Sequence, residues 1–261
     1  MPDIVIKSMI FLFGSFIGSF LNVCIYRMPR ELSINKPKRS FCPHCRKQVL
    51  WYDNVPFLSY LMLGGKCRFC RKPISFRYFL VEFITAAVLV VLYQFFGISA
   101  HFFVYAVLTC ALVVATFIDF DFQIIPDEIT LGGLVIAVIL SGALPQLHAS
   151  ASRGAALLQA LYGALAGGGS IYLIGKFGEV IFKKESMGGG DVKFLAMIGA
   201  VLGWKMALLI FFLAPFFGAV VGIIAKLRRG AEVIPSGPYL SLATLLVILW
   251  GDKILRYFFY I

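Results

Sequence analysis

The chain has 261 residues, of which 60% are hydrophobic and only 14% are charged, and its formal net charge is +11. Soluble domains carry about 25% charged residues, so this composition excludes an ordinary soluble protein. In a soluble protein, such a positive charge would suggest that the partner is a nucleic acid. Here most of the basic residues lie in short segments between apolar runs, as in membrane proteins, and no nucleic-acid partner is expected.

Apolar runs follow one another along most of the chain, and several approach the roughly 20 residues needed to cross a bilayer. They predict an all-α polytopic membrane protein with about eight transmembrane helices and no internal repeat. The predicted spans are 8–26, 78–96, 101–118, 129–147, 155–175, 191–203, 205–225 and 237–258. No small-residue cleavage site follows the first run, so we expect a permanent span. Two glycine pairs spaced four residues apart, Gly14 with Gly18 and Gly163 with Gly167, indicate close helix packing.

One large hydrophilic segment, 27–77, interrupts this pattern and contains twelve basic and two acidic residues. The excess of positive charge predicts that this segment is cytoplasmic and that the N-terminus lies outside. Alternation of the spans then places 119–128 and 176–190 on the cytoplasmic side as well, in agreement with the basic pair Lys183-Lys184. Acidic phospholipid head groups of the bilayer are the expected electrostatic partner of 27–77.

Two CxxC pairs lie within this segment, with 21 residues between them: Cys42-Pro-His-Cys45 and Cys67-Arg-Phe-Cys70. Four thiolates at such spacing suit a structural zinc ion. Disulfides are the poorer interpretation because the cytoplasm keeps thiols reduced. A segment of about 50 residues with few apolar side chains can hardly form a core alone, so a metal would contribute to its folding. The alternative is two pairs of unligated thiols.

Two aspartates stand at the edges of predicted spans, where an acidic group at membrane depth costs about 2.5–3.5 kcal/mol. Asp119 ends the third span, and Asp191 opens the sixth directly after Gly188-Gly-Gly190. Two crossings separate them, so both lie at the same membrane face and can meet. Two carboxyl groups in one site cannot easily both ionise: one keeps a proton and acts as acid, while the other activates water. This pair is suited to peptide hydrolysis without a covalent intermediate.

Other roles for these acids remain open at this point. Chemistry alone does not choose among Asp119, Asp121 and Asp127 as the partner of Asp191. Asp127 follows Pro126 and precedes an apolar run, so it is the expected N-cap of the fourth helix, and Asp191 could be a cap as well. A transporter with acids inside the membrane would also explain the pattern.

An ordered set of motifs along nearly the whole chain resembles the bacterial type IV prepilin peptidases, polytopic GxGD aspartic peptidases that are also N-methyltransferases. Besides the two CxxC pairs and the 119–127 block, the set comprises Gly18-Ser-Phe-Leu-Asn-Val23, Pro56-Phe-Leu-Ser-Tyr60, Gly188-Gly-Gly190-Asp191 and Ile234-Pro-Ser-Gly-Pro-Tyr239. The resemblance implies that Asp119 and Asp191 are the catalytic pair and that Asp127 is structural.

The resemblance also implies a substrate and a location. Similar proteins remove the basic leader from type IV prepilins or type II secretion pseudopilins at the cytoplasmic face of the bacterial inner membrane. They then methylate the new N-terminal residue with S-adenosylmethionine. The site of this donor is not visible in the spacing of the motifs. Glu82 and the cysteine module stand out in the N-terminal half, where the family has this activity. Glu82 could equally be a buried partner of Arg77, which is the favoured interpretation.

The expected domain organisation has three parts: 1–26 is the first transmembrane helix, 27–77 the cytoplasmic four-cysteine module and 78–261 the transmembrane peptidase domain. Three other classes fit less well. A presenilin-like peptidase does not predict the double CxxC segment, and neither does a transporter. A non-catalytic assembly factor would have lost one of the two aspartates.

Overall fold

The computed structural model describes residues 2–183, 188–229 and 235–259, so Lys184 and Ile234 lie outside the described residues. Over these ranges the chain is helical, and its β-pairing is limited to two isolated bridges in the four-cysteine segment. The all-α prediction is therefore confirmed.

The described residues form nine α-helices. They are α1 (Asp3–Arg27), α2 (Leu58–Met62), α3 (Arg77–Phe96), α4 (Ala100–Phe122), α5 (Asp127–Ala143), α6 (Arg153–Phe182), α7 (Gly189–Leu202), α8 (Trp204–Arg229) and α9 (Gly237–Phe259).

Six of these helices, α1, α3, α4, α6, α8 and α9, are long and apolar enough to cross a membrane. This confirms the multi-pass prediction. The helices α5 and α7 have 17 and 14 residues, so by length they fall short of the roughly 20 that a span needs. The figure of about eight spans therefore stays a prediction.

Local sequence sets several helix ends. The hydroxyl of Ser152 accepts the N–H of Ala155 and caps the start of α6. At the end of α7, Gly203 has a φ of +85°, a conformation that glycine adopts without steric cost. It separates α7 from α8, which begins at the next residue.

The chain forms two compact units, 1–114 and 115–261. In the first unit, α1 packs against α3 through its predicted glycine pair. A Cβ added to Gly14 would lie 2.8 Å from the Cα of Ala86, and one added to Gly18 would lie 2.7 Å from the Cα of Glu82. The two backbones approach too closely for side chains at these positions, which confirms the packing role of both glycines.

The second unit is organised around α7, which packs against α5, α6 and α8. Its side chains Phe194, Leu195 and Ile198 are fully buried. Gly163 of α6 meets the backbone of Gly199 of α7 directly, and Gly167 of α6 meets the backbone of Leu195. The second predicted glycine pair therefore fixes the helix that carries Asp191.

Replacing Gly163 by alanine should destabilise the second unit by about 1–3 kcal/mol, the usual cost of inserting a methyl group into a filled contact. Gly169 lies on the same helix with no atom within 4 Å of an added Cβ, so Gly169→Ala is the matched control and should be neutral or slightly stabilising. Thermal unfolding in detergent measures both variants. Equal melting temperatures for the two would contradict the packing account.

Candidate active site and metal centre

The two aspartates predicted from sequence are buried in the second unit, with Asp119 4% and Asp191 9% exposed. Asp119 lies in the last turn of α4, and Asp191 lies in the first turn of α7. Adjacent residues, Ser236 and Gly237, hydrogen-bond to the carboxyl groups of Asp191 and Asp119, so the two side chains are near neighbours. Residues 72 positions apart in sequence thus share one region of the fold.

Two consecutive residues at the start of α9 hold both carboxyl groups. The N–H of Gly237 donates to Oδ2 of Asp119 over 2.7 Å, and the hydroxyl of Ser236 donates to Oδ1 of Asp191 over 2.6 Å. The first N–H groups of a helix have no partner within the helix, so they are available donors for a carboxylate. The start of α9 therefore fixes the position of one oxygen of each aspartate.

Gly237 is required at this position because its backbone approaches Asp119 so closely. A Cβ added to Gly237 would lie 2.8 Å from Oδ2 and 3.2 Å from Cβ of Asp119. Ser236 and Gly237 belong to the motif Ile234-Pro-Ser-Gly-Pro-Tyr239, but no role was predicted for either residue. A local signal was present, since a Ser-Gly pair between Pro235 and Pro238, just before an apolar span, is typical of a helix start with free N–H groups.

The other two acids near Asp119 occupy different environments. Asp121 is exposed. Asp127 is the first residue of α5, and both of its carboxylate oxygens accept from Nζ of Lys193, at 2.7 and 2.9 Å. The prediction that Asp127 is the N-cap was wrong, because the helix begins one residue earlier than expected and Pro126 occupies the cap position.

The four cysteines of the first unit form a cluster. Their sulfur atoms all lie within 4.8 Å of one another, and the Sγ atoms of Cys42 and Cys70 are 3.8 Å apart. Four sulfurs bound at about 2.3 Å around a tetrahedral metal ion lie about 3.8 Å from each other. All four thiols are free of disulfide bonds. The cluster of Cys42, Cys45, Cys67 and Cys70 can therefore hold a metal ion.

Two turns of the same construction present these sulfurs. In the first, the N–H of Arg46 donates to the carbonyl of Cys42 over 2.8 Å, and in the second, that of Arg71 donates to the carbonyl of Cys67 over 3.0 Å. Both arginines have a positive φ, 57° and 59°. Each turn follows the pattern Cys-x-x-Cys-Arg-Lys, so the expectation of no internal repeat was wrong at this scale.

Backbone donors in the second turn act on one of the four thiols, that of Cys67. The N–H of Cys70 points at the sulfur of Cys67 and, together with the N–H of Phe69, lowers the pKa of the Cys67 thiol to about 7. A metal binds the thiolate form, which these donors favour at Cys67, whereas burial and the neighbouring sulfurs raise the pKa of the Cys70 thiol to about 11.

Comparison with known proteins follows the same division of the chain. The profile of the Bacterial Peptidase A24 N-terminal domain matches residues 12–96, and that of the Type IV leader peptidase family matches residues 106–223. The prepilin leader peptidase/N-methyltransferase of Aeromonas hydrophila is 36% identical to this chain, over 96% of this chain and 93% of its own length. The chain belongs to the type IV leader peptidase family.

Other relatives in the family carry the same name. The protein of Pseudomonas aeruginosa is 35% identical over 94% of this chain and 90% of its own length. The protein of Myxococcus xanthus is 39% identical over 85% of this chain and 63% of its own length. No solved structure matches the chain. Membership of this family confirms the resemblance to type IV prepilin peptidases that was predicted from the motifs, and it agrees with the apolar, multi-pass fold.

Asp119 is the expected catalytic group, and a displacement of about 1 Å at such a group costs about 10²-fold in rate. Replacing Gly237 by alanine should therefore lower the activity of this family member about 10²-fold. The added methyl group pushes Asp119 away and disturbs its hydrogen bond. Gly218→Ala is the control, since a Cβ there makes an ordinary contact with Tyr239 at 3.5 Å. Cleavage rates of the two variants provide the measurement, with helix content checked by circular dichroism. An unchanged rate for Gly237→Ala would contradict this geometry.

Proposed function

We propose that this protein is an aspartic endopeptidase of the bacterial inner membrane that removes the basic leader from type IV prepilins or type II secretion pseudopilins and methylates the new N-terminal residue. The names of its relatives, prepilin leader peptidase/N-methyltransferase, support both activities. One observation carries the proposal: two buried aspartates distant in sequence are held by Ser236 and Gly237, which are adjacent.

Peptide cleavage by Asp119 and Asp191 requires that the pair share one proton. The ionised member accepts a proton from water as the water oxygen attacks the scissile carbonyl, and the protonated member donates a hydrogen bond to the carbonyl oxygen. The aspartate that accepted the proton from water then donates it to the amide nitrogen, the C–N bond breaks, and the leader leaves with a free carboxylate. The Ser236 hydroxyl and the Gly237 N–H orient the carboxyl groups of Asp191 and Asp119, and the N–H of Gly188 also acts on Asp191.

A structural zinc ion completes the proposal for the first unit. Cys42, Cys45, Cys67 and Cys70 provide four sulfur ligands, and four protein ligands close the coordination sphere, as is typical of structural zinc sites. The ion would stabilise the two CxxC turns and take no part in hydrolysis.

The proposed topology follows the basic residues. We place the N-terminus outside, with 27–77 on the cytoplasmic side against acidic phospholipid head groups and the aspartates at the same face. In this arrangement 1–26 is a transmembrane helix, 27–77 the basic four-cysteine module and 78–261 the peptidase domain.

Mass spectrometry of a detergent-solubilised prepilin tests the proposal. Incubation with the protein alone should release the leader, and addition of S-adenosylmethionine should add one methyl group to the shortened product. Cleavage without methylation would remove the second activity. An intact prepilin beside well-folded protein would instead favour a transporter or a non-catalytic factor.

A further inference from the structure

The first unit contains a cavity of about 530 Å³, a volume within the range of small-molecule sites. It is bounded by α1, α3 and the four-cysteine segment. Its wall combines aromatic rings, including Tyr26, Tyr78 and Phe79, with a buried carboxylate, Glu82. Six cationic side chains also line the cavity, together with Asp53, which is paired with Arg68: Arg27, Arg30, Lys47, Arg68, Lys72 and Arg77. This combination suits a ligand that has a flat ring, a positive charge and a carboxylate.

A strained turn lies at the Glu82 end of this cavity. Phe57 has φ 59° and ψ −53°, and the N–H of Leu58 donates to the carbonyl of Pro56 over 2.6 Å, which defines a γ-turn of the rare, strained hand. The N–H of Phe57 donates to Oε2 of Glu82 over 3.0 Å, a backbone partner that the sequence did not predict. Strain of this kind is concentrated at ligand-binding and catalytic sites.

Glu82 retains capacity for a ligand in addition to this turn. Its side chain lies on the cavity wall with 9% exposure, and it interacts with Phe57 N–H and with the hydroxyl of Ser19. A carboxylate has about four acceptor positions, so two donors leave room for a further partner. A cationic ligand close to the carboxylate would favour its ionised form.

We propose that this cavity binds S-adenosylmethionine, with Glu82 facing the positively charged sulfonium and the aromatic rings holding the adenine. The assignment rests on the proposed methyltransfer activity. The residues present fit the donor: the Glu82 carboxylate suits the sulfonium cation, the aromatic wall suits a flat base, and the lysines suit the carboxylate of its amino-acid portion. One face of the Tyr26 ring is covered by the Arg30 guanidinium, 4.2 Å from the ring centroid, so the adenine would lie against the remaining rings. The methyl donor supplies an electrophilic methyl group to an amine, and this chain supplies the cavity that orients it.

Charge distinguishes the methyl donor from its product. S-adenosylhomocysteine has the same adenine and amino-acid portions but a neutral sulfur. A carboxylate facing that sulfur should therefore favour the donor over the product. Glu82→Gln removes the charge, and its amide oxygen can still accept the N–H of Phe57, so the turn keeps its hydrogen bond.

Equilibrium dialysis of the full-length protein in detergent with each radiolabelled ligand tests the assignment. Glu82→Gln should bind S-adenosylmethionine about tenfold more weakly, as expected for the loss of a charged partner, with a clearly smaller change for S-adenosylhomocysteine. Glu31→Gln is the matched control, because Glu31 is exposed, belongs to the same unit and does not line the cavity. Equal affinities of Glu82→Gln and wild type, or equal losses for both ligands, would overturn the assignment.

Photoaffinity labelling of the wild-type protein with an azidoadenine analogue of the donor tests the site without any variant. The label should attach within 1–114 at the cavity wall and should be competed by S-adenosylhomocysteine. A label confined to 115–261 would overturn the assignment. Wild type that cleaves prepilin but binds no donor would overturn both this site and the methyltransfer part of the proposed function. Wild type that binds the donor at this site but leaves prepilin intact would support the site and refute the peptidase.

Discussion

Replacing Asp119 or Asp191 by asparagine should lower the rate of leader cleavage by about 10³-fold or more, because each change removes one half of the acid–base pair. Asparagine has nearly the shape of aspartate, and its side-chain oxygen can still accept from Gly237 N–H or Ser236 Oγ. The fold should therefore persist while the chemistry is lost. Single-turnover cleavage of a prepilin, followed by mass spectrometry, measures the effect.

A double variant of the two aspartates and a variant of Asp127 provide further tests of the pair. Groups that act as a unit are not additive, so Asp119→Asn combined with Asp191→Asn should be about as slow as the slower single variant. Asp127→Asn is the control, since it loses an exposed ion pair with Lys193 that contributes roughly 0–1 kcal/mol. It should cleave at close to the wild-type rate. Loss of cleavage in Asp127→Asn with activity retained in Asp119→Asn would reassign the partner of Asp191.

Removing the metal should unfold the four-cysteine segment, because binding of a structural zinc ion supplies about 10–16 kcal/mol in small zinc domains. Cys42→Ser or Cys67→Ser leaves an incomplete set of ligands. Metal analysis by mass spectrometry should show one zinc ion per wild-type chain and a large loss in either variant. Limited proteolysis should then cut within 27–77, since few apolar side chains remain to hold this segment.

Cys110→Ala is the control for the metal prediction. Cys110 lies in α4 and is not part of the cluster, so its replacement should leave the zinc content unchanged. Purified wild type without zinc, or Cys42→Ser with full occupancy, would contradict the structural zinc site. Because Cys42 and Cys67 also line the cavity beside Glu82, loss of zinc should weaken binding of the methyl donor as well.

Several features of the fold could be predicted because they depend on local pattern. Long apolar runs predicted the long apolar helices, and glycines spaced four apart predicted close packing of α1 and of α6, but not that the partners are α3 and α7. The paired CxxC spacing identified the sulfur cluster. The physical causes are burial in lipid, close approach of two backbones and metal geometry. Each of them leaves a recognisable pattern in a short stretch of sequence, or depends on an uncommon residue such as cysteine.

Features that depend on distant contacts were missed. Nothing local to Gly237 shows that its N–H binds a carboxylate 118 residues earlier. The strained turn at Phe57 is likewise held by Glu82, 25 residues later. The repeated turn was not predicted because Arg46 and Arg71 occupy its left-handed positions. Glycine is the usual residue in that conformation and would have indicated such a turn in the sequence. The N-cap of α5 was predicted one residue too late, because Asp127 was expected at the cap and Pro126 before it.

In the proposed mechanism, Asp119 and Asp191 direct water onto the scissile bond without a covalent intermediate. The most direct test is the mass of the leader released by wild-type protein in the presence of hydroxylamine, which traps acyl-enzymes. The account predicts a leader that ends in a free carboxylate. A leader hydroxamate would reveal an acyl-enzyme and contradict the aspartate mechanism, and an intact prepilin would contradict the peptidase itself.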